Sequence, residues 1–201
     1  MGNYNKIKRD LMENAFKSTT FEATVRILKE EGLHGLQMHR IATETGVSTG
    51  TLYNYFKDKQ DLLFFVHENL CEDFFSVIEK TEVSDLKPDK KIIHLIRQIF
   101  GFIAANKDIF EFLDLSNVVK KKIGNFKVKH RKQLVDLFGR VLQEGVDQNF
   151  FPGIDPHKAA DLLHACIVGI FKANTEFKEL QPELDGEELI KMFSVYLGIA
   201  E

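Results

Sequence analysis

Apolar residues recur at spacings of three and four along most of the chain, which is the repeat of an amphipathic α-helix. In the segment 37–45, for example, this repeat places Met38, Ile41 and Ala42 on one face. The chain contains only four prolines and shows no alternation of apolar and polar residues that would indicate strands. The pattern therefore predicts an all-α protein of about nine helices.

A sharp turn and a short uncharged helix follow at residues 46–56. Gly46 supplies a left-handed backbone position that glycine adopts at little cost, and Ser48 is a good N-cap for a helix from Ser48 to about Phe56. Leu52 and Phe56 share the buried face of that helix. The outer face and its flanks carry Gly50, Thr51, Tyr53, Asn54 and Tyr55. This arrangement indicates a helix-turn-helix, whose second helix enters the major groove of DNA, although an ordinary helical hairpin has the same outline.

Six further helices are predicted after the helix-turn-helix. Asp58, with Asp61 at the capping-box distance, opens a helix that reaches about Lys80. Asp155 and Pro156 form a clear helix start, because they combine an N-cap with a proline at the first helical position. That helix runs over 155–178. The other predicted helices are 90–106, 108–118, 127–148 and a last helix opened by Asp185.

The stretch from about Thr20 to Leu63 resembles the DNA-binding domain of the TetR family of bacterial transcription regulators. The resemblance is carried by the motif Gly-Thr-Leu-Tyr-x-Tyr-Phe-x-x-Lys at residues 50–59. Beyond Leu63 it extends only to helix pattern and length. It implies an N-terminal extension at residues 1–18, a helix-turn-helix DNA-binding domain at 19–63, and a helical effector-binding and dimerisation domain at 64–201.

The resemblance and the side-chain chemistry together predict the DNA-contacting residues. Hydroxyl groups on the outer face suit phosphate oxygens, and Thr49 at the helix start is placed to meet base edges. Thr49 stands where many members carry Lys, Arg or Gln, and Gln37 stands where the family usually has Thr or Ser. His39 either supplies part of the missing base contact or is a solvated surface histidine. The predicted set is Gln37, His39, Ser48, Thr49, Gly50, Thr51, Tyr53, Asn54, Tyr55 and Lys59.

The residues that precede the DNA-binding domain form a basic extension with a weak apolar stripe. Lys6, Lys8 and Arg9 are its cations, and Ile7 and Leu11 belong to the stripe. We expect a disordered or fraying helical arm, with a DNA-contacting arm as the alternative.

Composition adds little about the partner of this chain. The 201 residues carry a net charge of −3, with nine Lys or Arg against seven Asp or Glu in residues 1–60 and 18 against 23 in the remainder. DNA affinity must therefore come from local geometry and from the doubled contacts of a dimer. The two cysteines are too few for a disulfide framework, and no signal peptide or bilayer-spanning run is visible, so we expect a cytoplasmic protein.

Two helices near the carboxyl end leave little polar surface, which predicts a homodimer built from a four-helix bundle. Small residues in the helix 155–178 form a strip that allows close helix approach. The alternative is that both helices fill the core of one protomer. The predicted interface residues are Leu162, Ala165, Cys166, Gly169, Ala173, Ile190, Phe193 and Leu197.

The resemblance also implies a small-molecule pocket among the central helices. Walls rich in phenylalanine suggest an apolar or aromatic effector, and a packed core without a cavity is the alternative. A basic run from Lys120 to Lys132 either attracts an anionic group, such as that of an acyl thioester, or is a solvated surface. The predicted lining residues are His67, Phe74, Ile96, Phe100, Ile103, Phe110, Leu113, Leu134, Phe138, Leu163, Ile167 and Ile170.

No catalytic constellation, phosphate loop or metal-ligand spacing is visible in the sequence. His67 and Cys71 lie four apart on one helix, but two ligands do not make a metal site. We therefore expect no enzyme activity, no cofactor and no metal. The favoured function is a repressor that binds a palindromic double-stranded DNA operator and is released by a small apolar or amphipathic effector. The alternatives are an architectural or division-control protein whose body binds a protein partner, and a helical enzyme or scaffold with a vestigial motif.

Overall fold

The computed structural model describes residues 2–115, 120–177 and 181–199. Within these ranges the chain is all helical, as predicted. None of the helices in these ranges combines the length and apolarity needed to cross a membrane. The nine described helices are α1 (Gly2–Gly35), α2 (Met38–Glu44), α3 (Thr49–Tyr55), α4 (Lys59–Glu82), α5 (Pro88–Ala105), α6 (Lys107–Leu115), α7 (Lys120–Asp147), α8 (Pro156–Phe177) and α9 (Pro182–Leu197).

The chain divides into two compact units. The first, called the head, comprises Met1–Leu70 with Phe112–Leu115, and the second, called the body, comprises the remaining residues. The domain boundary predicted at residue 63 stays a prediction, because compactness alone does not show which part folds independently.

In the head, α1 is longer than the sequence indicated. It is helical from Gly2, so the predicted extension continues directly into the first helix. Its regular geometry ends at Gly32, whose φ of 64° and ψ of −163° are open to glycine but strained for other residues. The helix α2 packs against both α1 and α3. Their shared core contains Ala23, Ile27, Leu36, Ile41, Ala42, Leu52, Phe56, Leu62 and Leu63.

In the body, α5 is the central helix and packs against α7 and α9, while α7 also packs against α8. Two helix starts differ from the predictions. The helix α7 begins at Lys120 rather than at residue 127, because a lysine-rich segment has good helix propensity without an apolar stripe. The helix α9 begins at Pro182 rather than near Asp185, since proline at the first position is already set to the helical φ.

The buried side chain of Lys91 forms hydrogen bonds that connect α5 to α4 and α7. Lys91 at the start of α5 is only 4% exposed. Its ammonium group donates to the Glu144 carboxylate on α7, at 2.8 and 3.1 Å, and to the carbonyl oxygen of Glu82 at the end of α4, at 2.7 Å. Arg140 on α7 donates to the Glu82 carboxylate at 2.8 Å. The end of α4 is therefore fixed to both neighbouring helices by charge-assisted hydrogen bonds.

Candidate nucleic-acid interface

The turn between α2 and α3 has the geometry that the sequence predicted. Gly46 has a φ of 70°, in the left-handed region. The Gly46 N–H donates to the carbonyl oxygen of Thr43 at 3.2 Å, and the Val47 N–H donates to that of Ala42 at 2.9 Å. These two bonds satisfy carbonyl groups that the end of α2 would otherwise leave without partners. The chain is thereby turned sharply into α3.

Ser48 fixes the start of α3. Its hydroxyl oxygen accepts from the Thr51 N–H at 3.0 Å, and its hydroxyl lies 2.8 Å from that of Thr51. Ser48 is thus the N-cap that the sequence indicated. Because its hydroxyl is engaged in capping, its contribution to a DNA surface is first of all to hold the helix start in place.

The side chains of α3 divide into an inner and an outer face. Leu52 and Phe56 are buried in the head core. The rings of Tyr53 and Tyr55 are 48% and 41% exposed. The other outer positions are Gly50 and Asn54, which are exposed, and Thr49 and Thr51, which are half-buried. The structure therefore brings six predicted residues onto one uncharged, hydroxyl-rich surface.

The start of α2 offers a second exposed edge. Gln37 has an extended N-cap backbone and makes no side-chain capping bond, as the departure from Thr or Ser predicted. Gln37 and His39 are both exposed. Beside them Arg40 donates to the Glu31 carboxylate of α1 at 2.6 Å, and this pair lowers the pKa of Glu31. The ion pair between Arg40 and Glu31 therefore connects α2 to α1.

The Lys59 side chain is engaged within the head. Its ammonium group donates to the carbonyl oxygen of Leu33 at 2.7 Å, and burial lowers its pKa. The backbone start of α4 carries a reciprocal cap, in which Asp58 accepts from the Asp61 N–H at 2.8 Å and Asp61 accepts from the Lys57 N–H at 3.2 Å. The predicted contact between the Lys59 ammonium and a phosphate thus competes with a bond already formed.

Phe16 is a residue of this surface that sequence reasoning missed. Its ring centroid lies 4.5 Å from that of Tyr55, with the ring planes tilted by 38°. The two residues are 39 positions apart, and no local spacing links them. The weak apolar stripe of the extension was the only signal in the sequence.

In the body, half-buried phenylalanine rings from four helices form a continuous group, called the Phe cluster. Phe74 stacks on Phe102 at 4.3 Å, Phe102 meets Phe110 edge-on at 5.8 Å, and Phe110 meets Phe171 at 5.4 Å. Phe74 and Phe110 were predicted pocket residues, whereas Phe102 and Phe171 were not. Sequence pattern cannot show which aromatic residues of four separate helices meet.

The other predicted pocket residues are placed differently. Leu134 and Ile170 pack against the body core, and His67 is a buried residue of the head. The side chains of Leu113 and of the basic residues from Lys120 to Lys127 lie outside the described part of the structure. The fully packed core positions are Ile96, Phe100, Ile103, Phe138, Leu163 and Ile167.

The predicted interface residues fall into two groups. On α8, Leu162, Ala165, Gly169 and Ala173 are exposed and Cys166 is half-buried. On α9, Ile190, Phe193 and Leu197 lie instead in the core of the protomer, because that face of α9 belongs to the body's hydrophobic cluster. The exposed large apolar residues of α9 are Leu184, Met192, Val195 and Tyr196, so the exposed apolar surface of this helix does not include the three predicted interface residues.

Residues 21–65 match the sequence model of the bacterial regulatory proteins of the tetR family. This range contains α2, the glycine turn and α3, together with the start of α4. Residues 21–65 therefore form a DNA-binding region of the TetR type. The family resemblance inferred from the motif at residues 50–59 is confirmed.

Two curated relatives extend the similarity beyond the head. An HTH-type transcriptional regulator of Staphylococcus aureus (strain bovine RF122 / ET3-1) is 23% identical over 188 residues, which cover 93% of this chain and 96% of the relative. The fatty acid metabolism regulator protein of Bacillus subtilis (strain 168) is 23% identical over 152 residues, covering 73% and 76%.

Solved structures share the fold of this chain. A transcriptional regulator from Cytophaga hutchinsonii superposes with a TM-score of 0.71 at 21% identity, covering 90% of this chain and 93% of the other. The regulator FadR from Bacillus subtilis, solved in complex with stearoyl-CoA, gives a TM-score of 0.60 at 19% identity, covering 87% and 96%. At these identities the likeness shows the fold alone.

Proposed function

We propose that this TetR-family regulator is a homodimeric repressor that binds a palindromic operator and leaves it when a small amphipathic effector binds the body. The observation that carries the DNA-binding part is the two-faced helix α3. Its inner residues are anchored in the head core, and its outer surface presents two exposed phenol rings without a charge. A short helix held in this way is suited to docking in a major groove.

The chemistry of the outer surface supports a division of roles. The hydroxyl groups of Thr51, Tyr53 and Tyr55 suit phosphate oxygens, which fix the register on the duplex. Thr49 and Gly50 lie in the first turn of α3, and Gly50 lets the backbone come close to the bases. A threonine offers a methyl group to thymine or a hydroxyl to a base edge. We therefore assign base contacts to Thr49. We assign Gln37 and His39, which are exposed at the start of α2, to a second surface that meets the DNA.

Exposed apolar residues on α8 and α9 support the dimer. Leu162 and Val168 on α8, and Met192, Val195 and Tyr196 on α9, are each at least two-fifths exposed. Ala165 and Gly169, which are also exposed on α8, allow close approach of a second copy. A palindromic operator requires such twofold pairing, because each half-site needs its own α3.

The Phe cluster supports an effector with a long apolar part. Its four rings are half-buried rather than fully packed, so an apolar chain can gain contact area against them. The Bacillus subtilis FadR structure in complex with stearoyl-CoA indicates an acyl thioester as the first probe. In the basic segment, Lys129 donates to the Glu72 carboxylate at 3.2 Å and Arg131 to the Asp161 carboxylate at 2.7 Å. We therefore assign the anionic end of such a molecule to Lys132 of the same segment.

The DNA-binding proposal is tested by titrating the full-length protein with labelled duplexes from the region beside its own gene. Fluorescence anisotropy should show binding that is much tighter than to a scrambled duplex. Thr49→Ala should change the preference among operator variants, with Val128→Ala on the exposed surface of α7 as a control that leaves it unchanged. Equal affinity for the operator region and the scrambled duplex would argue for the architectural alternative, and no binding to either would refute both.

The dimer is tested by sedimentation of a matched pair of variants. Val195 on α9 and Val83 after α4 are 83% and 82% exposed. Val195→Glu should shift the protein to monomers at micromolar concentration, whereas Val83→Glu should remain dimeric. A wild-type monomer at micromolar concentration would remove the dimer from the proposal.

The effector is tested with stearoyl-CoA and free coenzyme A. Stearoyl-CoA should raise the melting temperature and release the labelled operator, and free coenzyme A should do neither. Phe110→Leu should weaken the response, while Phe150→Leu, a change outside the Phe cluster, should not. If no apolar compound affects DNA binding and a protein partner does, the effector-independent alternative is favoured.

A further inference from the structure

The long helix α1 touches the DNA-facing surface at Phe16. The ring of Phe16 is half-buried, and its centroid lies 4.5 Å from that of Tyr55. Earlier apolar residues of the same helix are largely exposed, from 50% at Ile7 to 72% at Tyr4. Phe16 is therefore a point where the amino-terminal part of α1 meets the recognition helix.

Tyr55 occupies a position in α3 that needs support. It is the last residue of the helix, and the next residue, Phe56, has an extended backbone with φ −127° and ψ 112°. Helix ends fray, because their last turn lacks part of the hydrogen-bond ladder. Phe56 is held from inside by Phe65, with the rings 5.1 Å apart. Phe16 provides the corresponding contact from outside, on the ring of Tyr55.

An exposed tyrosine that must meet a phosphate loses rotational freedom when it binds. A side chain already held in the bound orientation avoids that cost, which is the general benefit of preorganisation. The tilted ring contact with Phe16 restricts the Tyr55 ring while leaving 41% of the residue exposed. The contact thus limits the motion of the phenol without covering it.

We propose that Phe16 is a positioning residue for operator binding: it holds the Tyr55 ring in place before DNA arrives. This inference rests on the proposed function, because it supposes that the Tyr55 hydroxyl meets the duplex. It assigns the amino-terminal part of α1 the role of a brace for the recognition helix.

The test is a double-mutant cycle on operator affinity. Phe16→Ala should weaken binding about three- to tenfold, the range set by an aromatic pair. Tyr55→Phe keeps the ring contact and removes the hydroxyl, and should also weaken binding. If Phe16 acts through that hydroxyl, Phe16→Ala has little further effect in the Tyr55→Phe background, so the two losses are not additive. Phe16→Tyr, which keeps an aromatic ring, should restore most of the affinity.

Matched controls separate positioning from a general loss of structure. Met12 lies one turn earlier on α1 and is 65% exposed, so Met12→Ala should bind like the wild type. Stoichiometric titration gives the active fraction of every variant, so that unfolded protein does not count as weak binding. Additive losses in the cycle, or an unchanged affinity of Phe16→Ala, would overturn the inference.

The same set of variants distinguishes this inference from the proposed function. If Tyr55→Phe binds like the wild type while Tyr53→Phe is weakened, the role of Phe16 is refuted and the DNA-binding proposal stands. If the wild type itself shows no preference for the operator region, the proposed function fails.

Discussion

The ammonium group of Lys59 donates a hydrogen bond to the carbonyl oxygen of Leu33 over 2.7 Å. Leu33 directly follows Gly32, where the regular helical geometry of α1 ends. Carbonyl groups at a helix end lack partners within the helix, and Lys59 supplies one from the start of α4. Burial lowers the pKa of Lys59, which agrees with an engaged rather than a fully solvated side chain.

Lys59→Met should therefore destabilise the head by about 1–2 kcal/mol, because a hydrogen bond to a charged group is lost. Urea denaturation measures this change. The dependence of operator affinity on salt should stay the same, since the Lys59 ammonium group is hydrogen-bonded to the carbonyl oxygen of Leu33 and does not contact a phosphate. A decrease of about one in that salt slope would show instead that Lys59 contacts a phosphate.

Tyr53→Phe should weaken DNA binding about fivefold for every duplex, because it removes one hydroxyl suited to a phosphate oxygen. Anisotropy titrations with the operator region and with a scrambled duplex measure the two losses. Val83 after α4 is 82% exposed and lies outside the proposed DNA and dimer surfaces, so Val83→Ala should leave both affinities unchanged. A loss confined to the operator would mean that Tyr53 reads a base rather than the backbone.

Two glycines of α7 should respond to alanine in opposite directions. A methyl group on Gly145 would lie 2.2 Å from ring atoms of Phe151, which is fully buried, whereas one on Gly139 meets nothing within 4 Å. Gly145→Ala should therefore cost about 1–3 kcal/mol through overpacking. Gly139→Ala should stabilise α7 by up to about 1 kcal/mol. Denaturant midpoints of the two variants compare them directly, and equal effects would contradict the packing of Phe151 on α7.

His130 should make stability depend on pH between about 6.5 and 4. Its pKa is lowered from 6.5 to about 4, first by burial and then by the neighbouring charge of Lys129. Above pH 6.5 the residue is neutral in both states, so its contribution is constant. As the pH falls, the unfolded chain takes up a proton that the folded protein does not, and stability declines until about pH 4. The total loss is at most about 3 kcal/mol.

The substitution His130→Phe isolates this effect, because it preserves the stacking on Phe75, whose ring lies 4.7 Å away. Urea denaturation at pH 7.5, 5.5 and 4.5 should show a shallower decline for the variant than for the wild type. Identical slopes would mean that His130 takes up its proton at the same pH in the folded and the unfolded protein.

Lys91→Met should destabilise the body by about 2–3 kcal/mol, because it leaves the Glu144 carboxylate and the Glu82 carbonyl group without their shared donor. Glu144 is one-third exposed, which allows water to compensate in part. The double variant Lys91→Met with Glu144→Leu should recover some of the loss in urea denaturation. No recovery would indicate that the bond to Glu82 carries most of the stabilisation.

Local signals explain why the helices near the turn were predicted to within about two residues. Ser48, Gly46 and Asp58 each act on backbone groups within four positions, so their effect is visible in the sequence alone. The motif at residues 50–59 also identified the family. The caps of Asp155 on the N–H groups of His157 and Lys158 follow the same rule.

Contacts between distant residues could not be read in this way. The pairs Phe16–Tyr55 and Lys59–Leu33 join positions 39 and 26 apart, and no period in the sequence marks them. The helix α9 is apolar on nearly every side, so the pattern could not tell which face packs on α5 and which remains exposed. In the structure Phe193 is buried and Val195 is exposed.

Through the contact between Phe16 and Tyr55, a movement of α3 should be transmitted to α1 and should be larger at the amino-terminal end of α1. With a rise of 1.5 Å per residue, position 4 lies about 18 Å along the helix axis from the ring contact. A tilt of the recognition helix by about ten degrees would then carry a dye at position 4 through about 3 Å. Optical distance methods can thus measure small changes in the orientation of α3, with the label far from the surface that meets the duplex.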